Sequence, residues 1–318
     1  MTTTADAIVL GAGPAGLTAA MYLARAKKRV VVLDSGMVGG QPNLTHMVAN
    51  YPGVGESPGW KLAAQMKEQA ESFGCEIRGN VDIARFDLQT SPKRVELGGG
   101  EVVEAPVLII ATGGTPRELG APGEKEFQSL GISYCATCDG DFFTGQEIAV
   151  IGGGNTAIEE AVALTAYASK VTVLHLLEEF QAFPEAVEEA RANPKIELKT
   201  QVQVLEFAGG EDLERVRYRD LRDGSEHDLA VQGAFIFIGY KPSSEPFADV
   251  LTLDEAGAIV GDENMATNVP GVFVAGDVRS KRFRQLTTAV ADGTIAALSA
   301  LDLLHDAESG AAAIDALR

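Results

Sequence analysis

The chain has 318 residues, 46% of them hydrophobic, which is enough for more than one core and suits two domains. A net charge of −19 argues against nucleic acid and anionic membrane surfaces as partners, and solubility alone accounts for it. Three cysteines are too few, and the wrong number, for a disulfide framework. No basic stretch precedes the first apolar run, and no apolar run approaches the ~20 residues of a membrane span. The expected location is the cytoplasm.

AIVL at 7–10 reads as a short buried strand, and it runs into GAGPAG at 11–16. Gly11 permits a tight turn, Gly13 lets backbone approach a pyrophosphate, and Gly16 lets the following helix pack on the strand. That helix, opening with Pro14 and Ala15, offers its N-terminus to the phosphates. The next apolar strand ends at Asp34, where a carboxylate can take ribose hydroxyls. The loop GMVGGQPNLTHMVANYPG is longer than a strand connection requires. Its Gly39, Gly40, Gln41 and Asn50 can wrap a large cofactor. VLIIATGGTP at 107–116 adds Thr112 and Gly113, and VPGVFVAGDV at 269–278 adds Gly276 and Asp277. Together these suit something bigger than a nicotinamide dinucleotide, and FAD fits best. Cys75, at a helix-to-strand turn, reads as a buried filler.

SYCATCDGD at 133–141 precedes what reads as the first strand of a second unit. Zinc would need two more ligands. Cys75 stands alone, and His46, His175, His227 and His305 form no ligand-spaced pair, so no metal site is expected. A structural disulfide is disfavoured in the cytosol. A redox pair needs only Cys-x-x-Cys, a thiol of lowered pKa and an electron source. Asp139 adjoins Cys138 and can carry the proton that a thiolate leaving group needs.

EIAVI at 147–151 then opens a second glycine turn, GGGNTA at 152–157. Residues 152–176 align without a gap on residues 11–35, so one βαβ unit is used twice. Gly152 and Gly154 are in place, followed by Asn155 and Thr156, and Ala157 stands where the third glycine would be. The strand after the turn ends at His175, in the place of Asp34. A 2′-phosphate calls for an arginine near this strand end. Here the chain has Leu176 and Leu177, then Glu178 and Glu179, and the next basic residue after Lys170 is Arg191. The glutamates would repel a phosphate but can bond free ribose hydroxyls. A fold that no longer binds a nucleotide is the competing reading.

AFIFIGYKP at 234–242 echoes VLIIATGGTP, each an apolar run breaking at Gly and then Pro. The expected fold class is therefore α/β with parallel sheets: two Rossmann-like dinucleotide-binding domains, the second inserted in the first. Residues 1–114 and 243–318 form the FAD-binding domain. Residues 115–242 form the NAD(P)H-binding-like domain carrying the Cys-x-x-Cys. VRSKRFRQ at 278–285 reads as a solvated basic loop or a docking patch. An alanine-rich helix is expected from about Gln285 to Leu304, and nothing is assigned to the tail.

GAGPAG, GGQ at 39–41, ATG at 111–113, CATCDG at 135–140, GGGNTAIEEA at 152–161 and GVFVAGDV with RQ at 271–285 together resemble the low-molecular-weight thioredoxin reductases. The resemblance covers nearly the whole chain. It implies a flavin-dependent thioredoxin-disulfide reductase with FAD, a redox disulfide Cys135–Cys138, a homodimer, and a domain rotation that presents the thiols alternately to flavin and thioredoxin. It also implies that Cys138 faces the flavin while Cys135 attacks the partner. Gln41, Asp277, Arg284, Gln285 and Leu286 match positions that hold FAD. One departure stands out. Where the family has His-Arg-Arg and another Arg soon after, this chain has His175-Leu176-Leu177 and then Gln181. The expected electron donor is thus not NADPH. NADH is one candidate, through Glu178 or Glu179. Reduced ferredoxin is another, since the flavin thioredoxin reductases that use it share this architecture. A small-molecule dithiol oxidase and a flavin-bearing redox sensor are the competing functions, and CATCDG points to the reductase.

Overall fold

Apolar runs too short to be helices become the central strands of two parallel sheets. The computed structural model describes residues 1–45 and 48–315, which divide into two units, 1–115 with 241–318 and 116–240.

In the first unit, Ala7–Leu10 and Val30–Leu33 are buried on both faces, as parallel strands covered on both sides must be. The sheet runs Val272–Val274, Val107–Ile110, Ala7–Leu10, Val30–Leu33, Glu76–Arg78, all parallel. One face packs on the helices Pro14–Arg25 and Leu286–Asp315 through small residues such as Ala19, Ala20, Ala296 and Ala300. Close approach is needed here: a Cβ on Gly293 would lie 2.2 Å from the Ala15 carbonyl oxygen. The other face packs on a four-stranded sheet of Thr2–Thr4, Val102–Ala105, Lys93–Leu97 and Ile83–Asp87.

The last helix departs from the sequence reading. It continues to Asp315 instead of stopping near Leu304, and passes through Gly310. Alanine-rich sequence propagates a helix readily, and one glycine costs it only about 1 kcal/mol. The segment Leu286–Asp306 is also long and apolar enough to cross a membrane, contrary to the expectation of no such run. Here its alanines pack on Pro14–Arg25, and Asp292 lies buried in its second turn.

The second unit repeats the plan. Its parallel sheet runs Ile132–Ser133, Gly233–Ile236, Glu147–Ile151, Lys170–Leu174, Ile196–Lys199. Helices Asn155–Leu164 and Pro184–Ala192 cover one face. The antiparallel strands Val202–Gly209, Leu213–Asp220 and Glu226–Ala230 cover the other. The first strand of this unit is Ile132–Ser133, so the Cys-x-x-Cys follows a strand rather than preceding the first one. Two residues are too short to show a pattern in sequence. The chain is thus α/β, with two Rossmann-like domains, the second inserted in the first.

Candidate active site

In the first unit each glycine of GAGPAG has its own steric reason. Gly11 has φ +99°, and a Cβ there would sit 2.3 Å from the Ala111 carbonyl oxygen. A Cβ on Gly16 would sit 1.9 Å from the Gly11 carbonyl oxygen. Gly13 differs: its Cβ would meet only the Gly40 Cα, at 3.9 Å. The space over Gly13 is not needed by the protein, so it is available to a ligand. Helix Pro14–Arg25 begins there with no side-chain cap, which leaves its first N–H groups to an anion.

The rest of the predicted cofactor residues gather around this turn. Asp34 accepts from the amides of Ala12 (2.6 Å) and Gly36 (2.7 Å), tying the turn to the second strand. Gly39 donates its amide to Ala12 O at 2.8 Å, and Gly40 packs against Gly13, so the GGQ loop lies over the turn. Gln41 opens a short 3-10 helix. Asn50 Nδ2 reaches Gln285 Oε1 at 3.4 Å, just ahead of Leu286 at the start of the last helix. Thr112 Oγ1 donates to Ser243 O at 2.8 Å, and Gly113 O accepts from the Ser243 amide at 2.9 Å. A Cβ on Gly276 would lie 2.8 Å from the Ala15 Cβ, so Gly276 sits against the helix that follows the turn. Next to it, Asp277 is the residue that asks for a ligand. Its Oδ1 is buried, with the Lys281 ammonium 3.4 Å away and no hydrogen bond among the described residues. Burial pushes the carboxyl up, against the pull of Lys281 and Arg284. A ribityl hydroxyl would satisfy that oxygen, so the residues present fit FAD. Val at Gly13 should therefore leave the fold intact and yield protein that purifies without flavin colour. Full flavin absorbance in Gly13→Val would contradict the site.

The basic loop is not simply solvated: two of its cations turn inward, while Arg282 and Phe283 stay exposed. Lys281 Nζ is 2.9 Å from Asp292 Oδ2, and both side chains are buried. Arg279 Nε reaches the same carboxylate at 3.5 Å, and the Gly276 amide donates to it at 3.1 Å. Arg284 donates to Asp277 O at 3.3 Å, and Arg282 lies over its neighbour Phe283. The charges were visible in sequence, but their buried partner on the last helix was not. Asp292→Ala removes the shorter of the two carboxylate contacts of Lys281, leaving it Asp277 Oδ1 at 3.4 Å, and takes away the carboxylate partner of Arg279, so it should cost about 3 kcal/mol of stability. Urea unfolding of the flavin-loaded protein checks this, and an unshifted midpoint would refute it.

In the second unit the glycine turn keeps the same construction. Gly152 has φ +138°, and its Cβ would lie 2.3 Å from Phe237 O. A Cβ on Gly154, like one on Gly13, would meet open space, and helix Asn155–Leu164 begins there uncapped. Ala157 is fully buried in the third position. His175 is a support, since its ring lies under Gly153, stacks on Phe180 at 5.1 Å and bonds Glu179 O at 3.0 Å. The Gln181 amide donates to Gly153 O at 2.8 Å, and the Phe183 amide to Asn155 Oδ1 at 2.7 Å. The segment after the strand is thereby pinned to the glycine turn. Leu176 and Leu177 stand 54% and 51% exposed at this strand end, followed by exposed Glu178 and Glu179. Lys170 and Lys199, on this strand and its neighbour, both pair with Glu197. Thr156 is exposed on the helix's first turn.

Cys135 and Cys138 form a disulfide with Cα atoms 5.3 Å apart, in the turn that follows Ile132–Ser133. Asp139 accepts from the Ser133 hydroxyl at 2.5 Å. Tyr134 donates to the buried carboxylate of Glu124 at 2.8 Å, which also takes the amides of Leu119 and Gly120. Ser133 and Glu124 escaped the sequence reading, because a serine before a cysteine and a lone glutamate carry no motif. Cys75 is buried, and burial followed by Glu71 pushes its thiol up to about 11, which makes it a poor nucleophile. His46 lies outside the described residues.

Among known proteins, the pyridine nucleotide-disulphide oxidoreductase family matches residues 5–293. A thioredoxin reductase of Peptoclostridium acidaminophilum is 44% identical over 304 residues, covering 93% of this chain and 95% of that protein. A thioredoxin reductase of Listeria monocytogenes is 40% identical over 301 residues, covering 93% and 92%. The crystal structure of a thioredoxin reductase from Streptococcus pyogenes superimposes with a TM-score of 0.91 at 38% identity, covering 96% of this chain and 99% of that one.

Proposed function

This chain belongs to the pyridine nucleotide-disulphide oxidoreductase family and, within it, to the low-molecular-weight thioredoxin reductases; from its departure from them at Leu176-Leu177 we propose that NADH, rather than NADPH, is its electron donor. It is a flavin-dependent disulfide reductase acting on thioredoxin. When bound, FAD takes electrons from a nicotinamide and supplies them to the disulfide. The residues around Gly13, Asp34, the GGQ loop, Asp277 and Arg284 are proposed to hold it. Cys135 and Cys138 are proposed as the redox pair, Cys135 meeting thioredoxin, and Asp139 as the proton carrier.

The observation that carries the donor assignment is the strand end at Leu176-Leu177. Two exposed leucines and two glutamates offer no cation to a 2′-phosphate, whereas the glutamates can bond free ribose hydroxyls. Gly152, Gly154 and the uncapped helix supply the remainder of a dinucleotide site, which favours a nucleotide over none. Ferredoxin as donor loses support from the basic loop, which turns Arg279 and Lys281 onto Asp292. A cytoplasmic location and a homodimer are proposed alongside it from the resemblance alone, and sedimentation tests the latter. Steady-state assays with thioredoxin test the donor. NADH should give a kcat/KM at least about ten-fold above NADPH. A preference for NADPH would overturn the proposal.

A further inference from the structure

Ser133 ends the strand Ile132–Ser133 and is 5% exposed. Its Oγ accepts the amide proton of Cys135 at 3.1 Å. The same oxygen lies 2.5 Å from Asp139 Oδ2 and 3.3 Å from the Cys135 carbonyl oxygen. A hydroxyl has one proton, so it serves one of these two acceptors at a time. We propose that Ser133 is a positioning residue for proton transfer at the dithiol, its hydroxyl turning between Asp139 and the Cys135 carbonyl as Asp139 loses and regains its proton. The inference rests on the reading of Asp139 as proton carrier.

The exchange step shows why both partners are needed. The Cys135 thiolate attacks one sulfur of a partner disulfide. A new S–S bond forms, the partner's S–S bond breaks, and the bonding pair leaves on the partner's second sulfur as a thiolate. Protonated Asp139 gives that thiolate its proton and becomes a carboxylate, while the partner stays joined to Cys135 through the mixed disulfide. The Cys138 thiolate then attacks Cys135 Sγ, re-forming the Cys135–Cys138 bond and expelling the partner's first sulfur as a thiolate, which takes its proton from solvent. Before transfer, the Asp139 O–H donates to Ser133 Oγ, and the Ser133 hydroxyl donates to Cys135 O. After transfer, the Ser133 hydroxyl turns to the carboxylate. The Cys135 amide donates to Ser133 Oγ throughout. The attacking cysteine's backbone and the acid therefore stay in one frame in both protonation states. That carbonyl also receives the amides of Cys138 and Asp139, at 3.3 and 3.2 Å, so the same frame holds the second thiol.

Leaving-group dependence separates this role from a structural one. An alkyl thiolate needs a proton to leave, whereas an acidic aromatic thiolate leaves without one. The flavin-loaded protein, reduced with dithiothreitol and freed of it, is mixed in a single turnover with hydroxyethyl disulfide or with 5,5′-dithiobis(2-nitrobenzoate). Ser133→Ala should slow the first reaction about ten-fold, the loss of one hydrogen bond to a charged group. It should leave the aromatic reaction within about two-fold, and Ser133→Thr, which keeps the hydroxyl, should restore the alkyl rate. Equal slowing with both disulfides, or no slowing with either, would overturn the proposal. Asp139→Asn tells the two readings apart. If it slows only the alkyl reaction while Ser133→Ala does not, the Ser133 inference alone fails. If it shows no leaving-group dependence, the proton-carrier reading fails first.

Discussion

Cys135→Ser is expected to abolish thioredoxin reduction, with a loss limited only by assay background, while the bound flavin remains reducible by nicotinamide. Disulfide exchange requires a thiolate to attack the partner's sulfur, and serine cannot replace it, since its hydroxyl is not ionised near neutral pH. Cys135 is the N-cap of the short turn Ala136–Asp139, with extended backbone and no side-chain capping bond, so the turn's helical start does not depend on the thiol. The remaining thiol, Cys138, follows three residues on, and Ser133 still receives the amide of residue 135. Flavin absorbance during anaerobic titration and thioredoxin thiol release are the two readouts. Were Cys138→Ser to remove partner attack while Cys135→Ser kept it, the order of the thiols would be reversed.

Converting the donor preference is the second large effect. An NADP site meets the 2′-phosphate with charge-assisted hydrogen bonds of ~1.5–3 kcal/mol each, so each contact missing here weakens NADPH by about one to two orders of magnitude. Leu176 and Leu177 are more than half exposed, so arginine at either position displaces no packed core. The neighbouring backbone is held independently, through Gln181 to Gly153 and Phe183 to Asn155. The Leu176→Arg, Leu177→Arg double variant should therefore gain NADPH efficiency by at least about ten-fold, with NADH little changed. No gain would mean that the second glycine turn does not hold a nicotinamide dinucleotide in the expected pose.

The parts legible in sequence were those whose reasons are local. A Cβ on Gly16 would meet the Gly11 carbonyl of its own turn, and Gly11 takes a φ of +99°, so a glycine spacing announces the strand, the turn and the helix together. Buried four-residue strands such as Val107–Ile110 announce themselves by composition. The antiparallel strands did not. Glu226–Ala230 is mostly exposed, and Lys93–Leu97 alternates buried and exposed residues over only five positions. Tertiary partners were equally hidden. The sequence shows four cations between Arg279 and Arg284, but only the fold brings Asp292 to two of them. Ser133 likewise becomes informative only once the turn folds Asp139 back onto it.

The most direct test of the donor assignment is anaerobic mixing of the oxidised, flavin-loaded protein with NADH, NADPH or reduced ferredoxin, followed by flavin bleaching. The account predicts fast, complete bleaching by micromolar NADH and bleaching by NADPH only at concentrations at least about ten-fold higher. Efficient bleaching by micromolar NADPH would contradict it, as would bleaching by ferredoxin with neither nicotinamide effective.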